Sequence, residues 1–585
     1  MKKYQFLLIV SVLCLQAGNI WSQYVVKTQE ELSNIKQLAQ EKVYINHTGP
    51  MALTGEYIYY SFSCFNTQTN RVSNISKLGY VSLVNSNGEF VFTQKLRLDK
   101  GLAQGDFFLK TDMPSGIYKL LGYTHWMKNN GLSQFFQQDL VIVNPYMVDQ
   151  TALLGEGTEK GPPTKNEYIE DKSTILLELD TLTYATRSKV RLSLRNYKGY
   201  LGNGYYTIKV KKKNTLESPL VMRAPEFSDK YFAIPKEIDK AVGDNIYLPE
   251  QRGELFFGNV SYVNTNEPVE NEPIVISIPG KEFILKFATT DAKGNFFGYL
   301  QKEYKSENII AQASGTDEYK ITIKDKSTPD LGDMEFASFT LNKDDADFIK
   351  GQSVYNQIEN QFFGLKPDSV LVADPIDPFD GGTPEVFNLD DYTRFPTFQE
   401  TLVEILNNAG YRNNGKGNDY IRIAQDFETY NEEYNILPSI VVFDGVYIPN
   451  HEVLKDYNAR KIKSISLIRD KFQLANKEYQ GIMSVETFDG DYLKEHAHSN
   501  KTVANLTRPF PKKRYYRQEY RDNSNYERVP DYRTLLCWEP NIILEGSGTD
   551  LVFYTSDVKG EYEILLDGFT TYGKPISLTE TITVE

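Results

Sequence analysis

Glu56-Tyr57-Ile58-Tyr59-Tyr60-Ser61-Phe62 and Gly79-Tyr80-Val81-Ser82-Leu83-Val84 are the two runs that decide the fold class. Both are rich in β-branched and aromatic residues, which suit a pleated surface, and the second stops at the turn sequence Asn85-Ser86-Asn87-Gly88. Leu120 to Trp126 and Leu140 to Val143 continue the pattern until Asn144-Pro145 ends it. Short strands at regular spacing predict a β-sandwich over residues 23–150. Between residues 43 and 145 no helix longer than a turn is needed.

Composition agrees with a mainly β chain. Forty Tyr and 33 Phe against three Trp give 13% aromatic residues, a bias towards sheet surfaces. At about 150 residues per domain, 585 residues predict about four domains rather than one compact enzyme core. Hydrophobic residues at 40% and charged residues at 24% are the balance of a water-exposed globular chain. A net charge of −14 is the wrong sign for a nucleic-acid footprint, so no nucleic-acid partner is expected. Three Cys and five His leave little material for a zinc or iron–sulfur scaffold.

The first 22 residues read as a cleaved signal peptide. Lys2 and Lys3 form a basic start, Phe6 to Leu15 an apolar run, and Ser22 a small residue at the cleavage position. The apolar run is too short for a membrane-crossing helix, which needs about 20 residues. Leu13 stands where a lipoprotein signal before Cys14 would want a small residue. Export to the periplasm or outer membrane is therefore expected. Cys64 and Cys537 are then the cysteines of the mature chain, as a disulfide or as two buried thiols.

Further modules follow. Residues 151–171 contain the Pro/Gly/acidic stretch Gly155 to Asp171, a linker pattern. Strand runs at Ile175 to Leu179, Lys189 to Leu194, Tyr205 to Val210 and Glu250 to Val260 make residues 172–325 one or two more β-domains. In 326–391, Phe348, Ile349, Gln352, Tyr355, Ile358 and Phe362 recur at helical spacing between Asp344 and Phe363, ahead of an acidic segment. Residues 392–492 read as an α+β module: a helix at Phe398 to Asn407, strands at Tyr420 to Ala424 and Ile440 to Phe443, then Asp444-Gly445, then strands up to Ile468 and from Gln480 to Phe488. A basic linker at 493–527 carries Lys512-Lys513-Arg514. Alternation over 528–585 predicts a last sandwich-like domain, and its Gly560-Glu561-Tyr562 echoes Gly116-Ile117-Tyr118.

Leu53-Thr54-Gly55-Glu56-Tyr57-Ile58, Lys100-Gly101-Leu102-Ala103-Gln104-Gly105-Asp106-Phe107 and Pro114-Ser115-Gly116-Ile117-Tyr118 together resemble the macroglobulin-like (MG2-type) domain of bacterial alpha-2-macroglobulin-related proteins. Residues 172–325 look like the MG3-like or carboxypeptidase-regulatory β-domains that accompany it. Leu437 to Ile448, with its Asp-Gly-Val turn, followed by Tyr457 to Ile468 and Gln480 to Phe488, resembles the plug domain of TonB-dependent outer-membrane receptors. Such receptors carry barrels of about 22 strands, and the roughly ninety residues after Asp491 cannot supply one. The combination looks like the exported multidomain proteins of Bacteroidetes-type bacteria, and transport by this chain alone is not expected.

The chemical candidates are sparse. Asp374, Asp377, Asp380, Glu385, Asp390 and Asp391 do not match a Ca²⁺ loop and read as a solvated linker. His496-Ala497-His498 lacks a third designated ligand, and His47, His125 and His451 are scattered. Gly546-Ser547-Gly548 is a turn rather than a nucleophile elbow, and neither Cys64 nor Cys537 stands in a thioester or thiol-protease signature. No catalytic, cofactor-binding or metal residue is assigned, and no enzyme is expected. The expectation is a mainly β, noncatalytic accessory or scaffold protein. It binds an envelope partner, such as a β-barrel, through the plug-like module and reaches the membrane through that partner. Asp444, Gly445, Tyr447 as an exposed aromatic, and Lys512, Lys513 and Arg514 are the candidate partner contacts. The alternative is a secreted or cell-surface binder of glycans or host proteins.

Overall fold

The computed structural model describes residues 24–154 and 172–585, apart from residues 215, 217–218, 233–237, 314–317, 325–327, 333, 343, 373–374, 380, 414, 416–418, 427–429, 475–476, 497–500 and 521–527. The proposed signal peptide and the Gly155–Asp171 linker lie outside the described residues. The fold is mainly β. Two compact units are each assembled from separated stretches: residues 24–251 with 329–372 and 509–585, and residues 252–328 with 373–508.

The first of these units begins with the sandwich read from the sequence. One sheet runs in the order Met51–Leu53, Phe136–Val143, Gly116–Tyr123, Leu78–Asn85, Phe90–Arg97. The other sheet is built on Tyr57–Asn66, which pairs with Glu41–His47, Arg71–Val72 and Leu102–Phe108. Val43, Ile45, Ile58, Tyr60, Phe62, Leu120 and Phe136 share one core. Gly79 is required there, because a Cβ would lie 2.4 Å from the Phe62 ring. The helix Gln29–Lys36, capped by Thr28, precedes the sandwich and was not anticipated.

The same unit holds a second sandwich, and its strands come from two widely separated stretches, residues 175–212 and 535–584. Ile175–Leu179 pairs with Lys189–Asn196, which pairs with Gly548–Tyr554. Across from them, Gly204–Lys212 is flanked by Leu535–Leu544 and Gly560–Thr570, and Pro575–Val584 extends the sheet. Residues 528–585 therefore form no domain of their own, which corrects the boundary read from the sequence. Alternation marks a strand without naming its neighbour, and Gly204–Lys212 has both edges satisfied by distant segments.

In the other unit, Glu254–Tyr262 with Asn295–Leu300 and Tyr319–Lys324 encloses a core against a second sheet. That sheet is Ile284–Thr289, Pro273–Ile278, Asn308–Ala313 and Lys501–Asn505. Residues 172–325, read as one or two domains, are divided between the two units, and part of the expected 493–527 linker is a strand of this sheet, which corrects that boundary.

The α+β module occupies the rest of that unit. Its sheet order is Glu385–Asn388, Ile462–Leu474, Lys477–Thr487, Ile440–Phe443, Val446–Tyr447, with Ile440–Phe443 parallel to Ile482–Val485. Helix Phe398–Ile405 opens with a capping box: Thr397 Oγ1 accepts from Glu400 N–H at 3.2 Å, and Glu400 accepts from Thr397 N–H at 3.1 Å. Leu402, Phe398, Val441, Phe443, Ile465 and Val485 form its core.

Candidate functional site

The predicted contact turn comes first. Asp444 and Gly445 have φ of 48° and 81°, and Val442 and Phe443 pair with Tyr447 and Val446 across them. Positive φ at both central residues is the type I′ hairpin geometry, which Asp-Gly adopts at low cost. The Asp444 carboxylate accepts from Thr487 N–H at 2.8 Å, Thr487 Oγ1 at 2.7 Å and Tyr492 N–H at 3.2 Å. A Cβ on Gly445 would lie 2.5 Å from Phe283 Cβ, and Gly280 N–H donates to the Asp444 carbonyl at 2.8 Å. Tyr447 is 4% exposed, its N–H donates to Ser277 Oγ, and burial holds its phenol well above its ordinary pKa. This corrects its reading as an exposed aromatic. The turn is covered by residues 277–283 of its own unit, because Val442, Tyr447 and Ile482 present an apolar face to Val275 and Phe283.

The basic stretch alternates as a short strand must. Lys513 and Arg514 pair with Val370 and Ser369. Lys513 turns inward to the nearly buried Asp106 carboxylate at 2.9 Å. Lys512 and Arg514 face solvent, and Lys512 lies 3.8 Å from Asp99. Lys512, Lys513 and Arg514 belong to the unit of residues 24–251, 329–372 and 509–585, and Asp444, Gly445 and Tyr447 to the other.

Several of the remaining chemical candidates have local partners. Asp374, Asp380 and His498 lie outside the described residues. Asp377 accepts the N–H groups of Phe379 and Gly381, which hold its carboxyl below the usual range. Asp390 pairs with Arg394. Among the described residues no group of three or more His, Cys, Asp or Glu side chains is placed to hold a metal. Cys64 and Cys537 are buried free thiols, and burial raises the first well above its ordinary pKa and the second to about 12. Neither is a thiolate at neutral pH. Burial lowers His47 to about 3 and His451 to about 4, so both imidazoles are neutral.

A cleft that the sequence reading did not single out lies within the unit of residues 24–251, 329–372 and 509–585. It encloses about 200 Å³ between the Tyr57–Asn66 strand, the helix Asp345–Gln361 and the segments around Tyr515 and Trp538. The helical spacing that marked this helix included Gln352 among its recurring residues. A stripe of amides four residues apart holds this region: Gln352 and Asn356 donate to Glu56 Oε1 at 3.1 and 2.8 Å, and Asn360 donates to the Gly55 carbonyl at 2.8 Å. Phe348 and Ile349 pack at the other end, near Met51 and Val143.

Aromatic rings make one wall. Tyr57 stacks on Phe363 with centroids 5.4 Å apart and planes 10° apart, Tyr59 follows at 5.9 Å, and Tyr515 meets Tyr59 edge-on at 5.0 Å. Burial, with the nearby Asp106 and Asp368 charges, raises the phenols of Tyr57, Tyr59 and Tyr515, so all three stay protonated. The cations of the lining are engaged. Lys366 pairs with Glu359 at 2.6 Å, Arg533 with Asp531 at 2.6 Å, and Lys211 donates to the Thr48 carbonyl at 2.9 Å. Glu56 and Asp368 make no ion pair among the described residues, and Asp368 accepts from Tyr516 N–H at 2.9 Å. One sequence signal pointed here: Tyr57 and Tyr59 alternate with the core residues Ile58 and Tyr60, which puts two aromatics on the outer face of one strand.

No protein-family model and no curated protein matches the chain. Among solved structures, the chain is similar to bacterial alpha-2-macroglobulins. The methylamine-reacted Salmonella protein is 8% identical over 96% of this chain and 40% of that one, with a TM-score of 0.23. The elastase-activated Escherichia coli protein is 9% identical over 93% and 44%, with a TM-score of 0.24. An Escherichia coli adhesin is 10% identical over 46% and 58%, with a TM-score of 0.14. This chain thus spans less than half the length of the alpha-2-macroglobulins it matches. At these scores its architecture is described by its own strand pairings.

Proposed function

We propose that this chain is a noncatalytic accessory or scaffold protein of the Gram-negative envelope, exported and held at the outer membrane or in the periplasm by a partner. In this reading it resembles Bacteroidetes-type exported proteins, and the plug-like module at 392–492 is the partner-binding element, with a β-barrel as its favoured occupant. One observation carries the reading. Glu385–Asn388, the edge strand of that module's sheet, pairs on one side with Ile462–Leu474 and leaves its other edge unpaired among the described residues, with Val386 53% exposed. An open, short edge strand is a template for strand addition by a partner. The Asp444–Tyr447 turn is already covered, so the contact falls to this edge and the long hairpin rather than to the turn.

Affinity purification of C-terminally tagged protein from cross-linked envelopes tests this reading. An outer-membrane barrel or assembly component that co-purifies, and is lost on deletion of residues 385–492, is the expected result. Recovery of the chain alone in the soluble fraction overturns it. The aromatic cleft favours a second reading, a secreted or cell-surface ligand-binding protein, and soluble recovery would move the search there.

A further inference from the structure

We propose that the cleft lined by Tyr57, Tyr59, Phe363, Glu56 and Asp368 is a binding site for an organic cation, an ammonium or guanidinium group. The inference does not rest on the partner-binding reading above.

Three observations converge on that chemistry. The first is charge. Each basic group of the lining is already engaged, Lys366 by Glu359, Arg533 by Asp531, and Lys211 by the Thr48 carbonyl. Glu56 accepts from the Gln352 and Asn356 amides and lies in the field of Lys211, while Asp368 makes no ion pair among the described residues, accepts from Tyr516 N–H and is half-buried. The second is the wall. Tyr57 stacks with Phe363 and with Tyr59, Tyr515 meets Tyr59 edge-on, and all four line the cleft together with that carboxylate. Ring faces carry a negative quadrupole and attract cations, and a carboxylate adds a charge-assisted hydrogen bond. A neutral hydroxylated ligand would bond to the carboxylate without neutralising it.

The third is size. A volume of about 200 Å³ is below the ~300–1,000 Å³ of pockets that take drug-sized ligands, and it suits one basic side chain or a small amine. Two sources supply such a group: an Arg or Lys side chain of a polypeptide, or a free polyamine.

Titration calorimetry on the full mature chain distinguishes them. The probes are a capped Gly-Arg-Gly peptide, its citrulline counterpart and spermidine. The expected result is saturable binding of the arginine peptide or spermidine, the tighter of the two naming the source. D368N should weaken it about tenfold or more, and Y57A should weaken it severalfold. E56Q is read in place of D368N if thermal melting shows that D368N does not fold. Citrulline binding as tight as arginine, affinity unchanged in the folded acidic variant, or no binding of either cation overturns the proposal.

Discussion

Tyr562 Oη donates to the carbonyl of Val558, four residues upstream, at 2.7 Å. Tyr118 does the same to Pro114 at 2.8 Å, and Tyr206 to Gly202 at 3.0 Å. In each case a glycine stands two residues before the tyrosine: Gly560, Gly116 and Gly204. The glycine frees the turn and the phenol then ties the entering strand to the corner behind it, so one local device recurs in both sandwiches of this unit.

Removing that tie should cost most where the carbonyl has no access to water. Y562F is expected to destabilise the unit by about 1–2 kcal/mol, because Val558 is buried. Y118F should cost less, since Pro114 is exposed and water can replace the phenol. Urea denaturation of the two variants beside the parent chain checks the order, and equal losses would contradict it.

Asp444 is predicted to act as a buried clasp. D444A leaves two N–H donors and one hydroxyl of Thr487 and Tyr492 without their acceptor, at a cost of about 2–4 kcal/mol. D444N keeps the positive φ accessible and one acceptor oxygen, so it should fall between D444A and the parent. Differential scanning calorimetry following the unit that contains residues 373–508 reads the difference.

Acid should destabilise both units through neutral buried histidines. His47 at about 3 and His451 at about 4 both lie below the ordinary 6.5, so the unfolded chain binds protons that the folded chain refuses. Stability therefore rises with pH across the window from about 3–4 to 6.5 and is flat above it on this account. His451 Nδ1 accepts from Ile421 N–H at 2.8 Å, an acceptor that an asparagine oxygen can imitate. H451N should flatten the slope for its unit by about one proton, measured as midpoint against pH. An unchanged slope would remove His451 from the explanation.

Truncation before residue 528 should unfold the second sandwich rather than release a free domain. It removes the strands on both sides of Gly204–Lys212 and the partner of Lys189–Asn196. Limited proteolysis of the truncated chain is expected to cut within 172–212, and an isolated 528–585 peptide is expected to show no cooperative melt. A folded isolated peptide would overturn the discontinuous sandwich.

Much of the fold was legible because it is local. Runs rich in β-branched and aromatic residues marked Tyr57–Asn66 and Leu78–Asn85, helical spacing marked Asp345–Gln361, and Asp444-Gly445 named its own turn. In the α+β module the helix at 398 and the strands near 420, 440, 462 and 480 were read locally, while the strands Glu385–Asn388 and Ala409–Asn413 were not. The Gly-x-Tyr echo between 116–118 and 560–562 also lies in a few neighbouring residues, and it marked a real repeated corner.

The candidate site was less legible. The sequence marked Tyr447 as a surface aromatic, and the Val275 and Phe283 face buried it. The helix showed an apolar stripe, while Gln352, Asn356 and Asn360 made its contact with the Gly55–Glu56 corner. By itself the sequence determined which residues alternate in and out of sheets, where turns fall, and the sign of the overall charge. Only the tertiary structure decided which strands are neighbours, which polar groups meet, and where a cleft remains. Backbone edges are chemically alike along the chain, and each doubling of the loop between two strands costs only about 0.6 kcal/mol. Side-chain packing therefore chose residues 535–584 as the partners of 189–212, over nearer strands that read just as well.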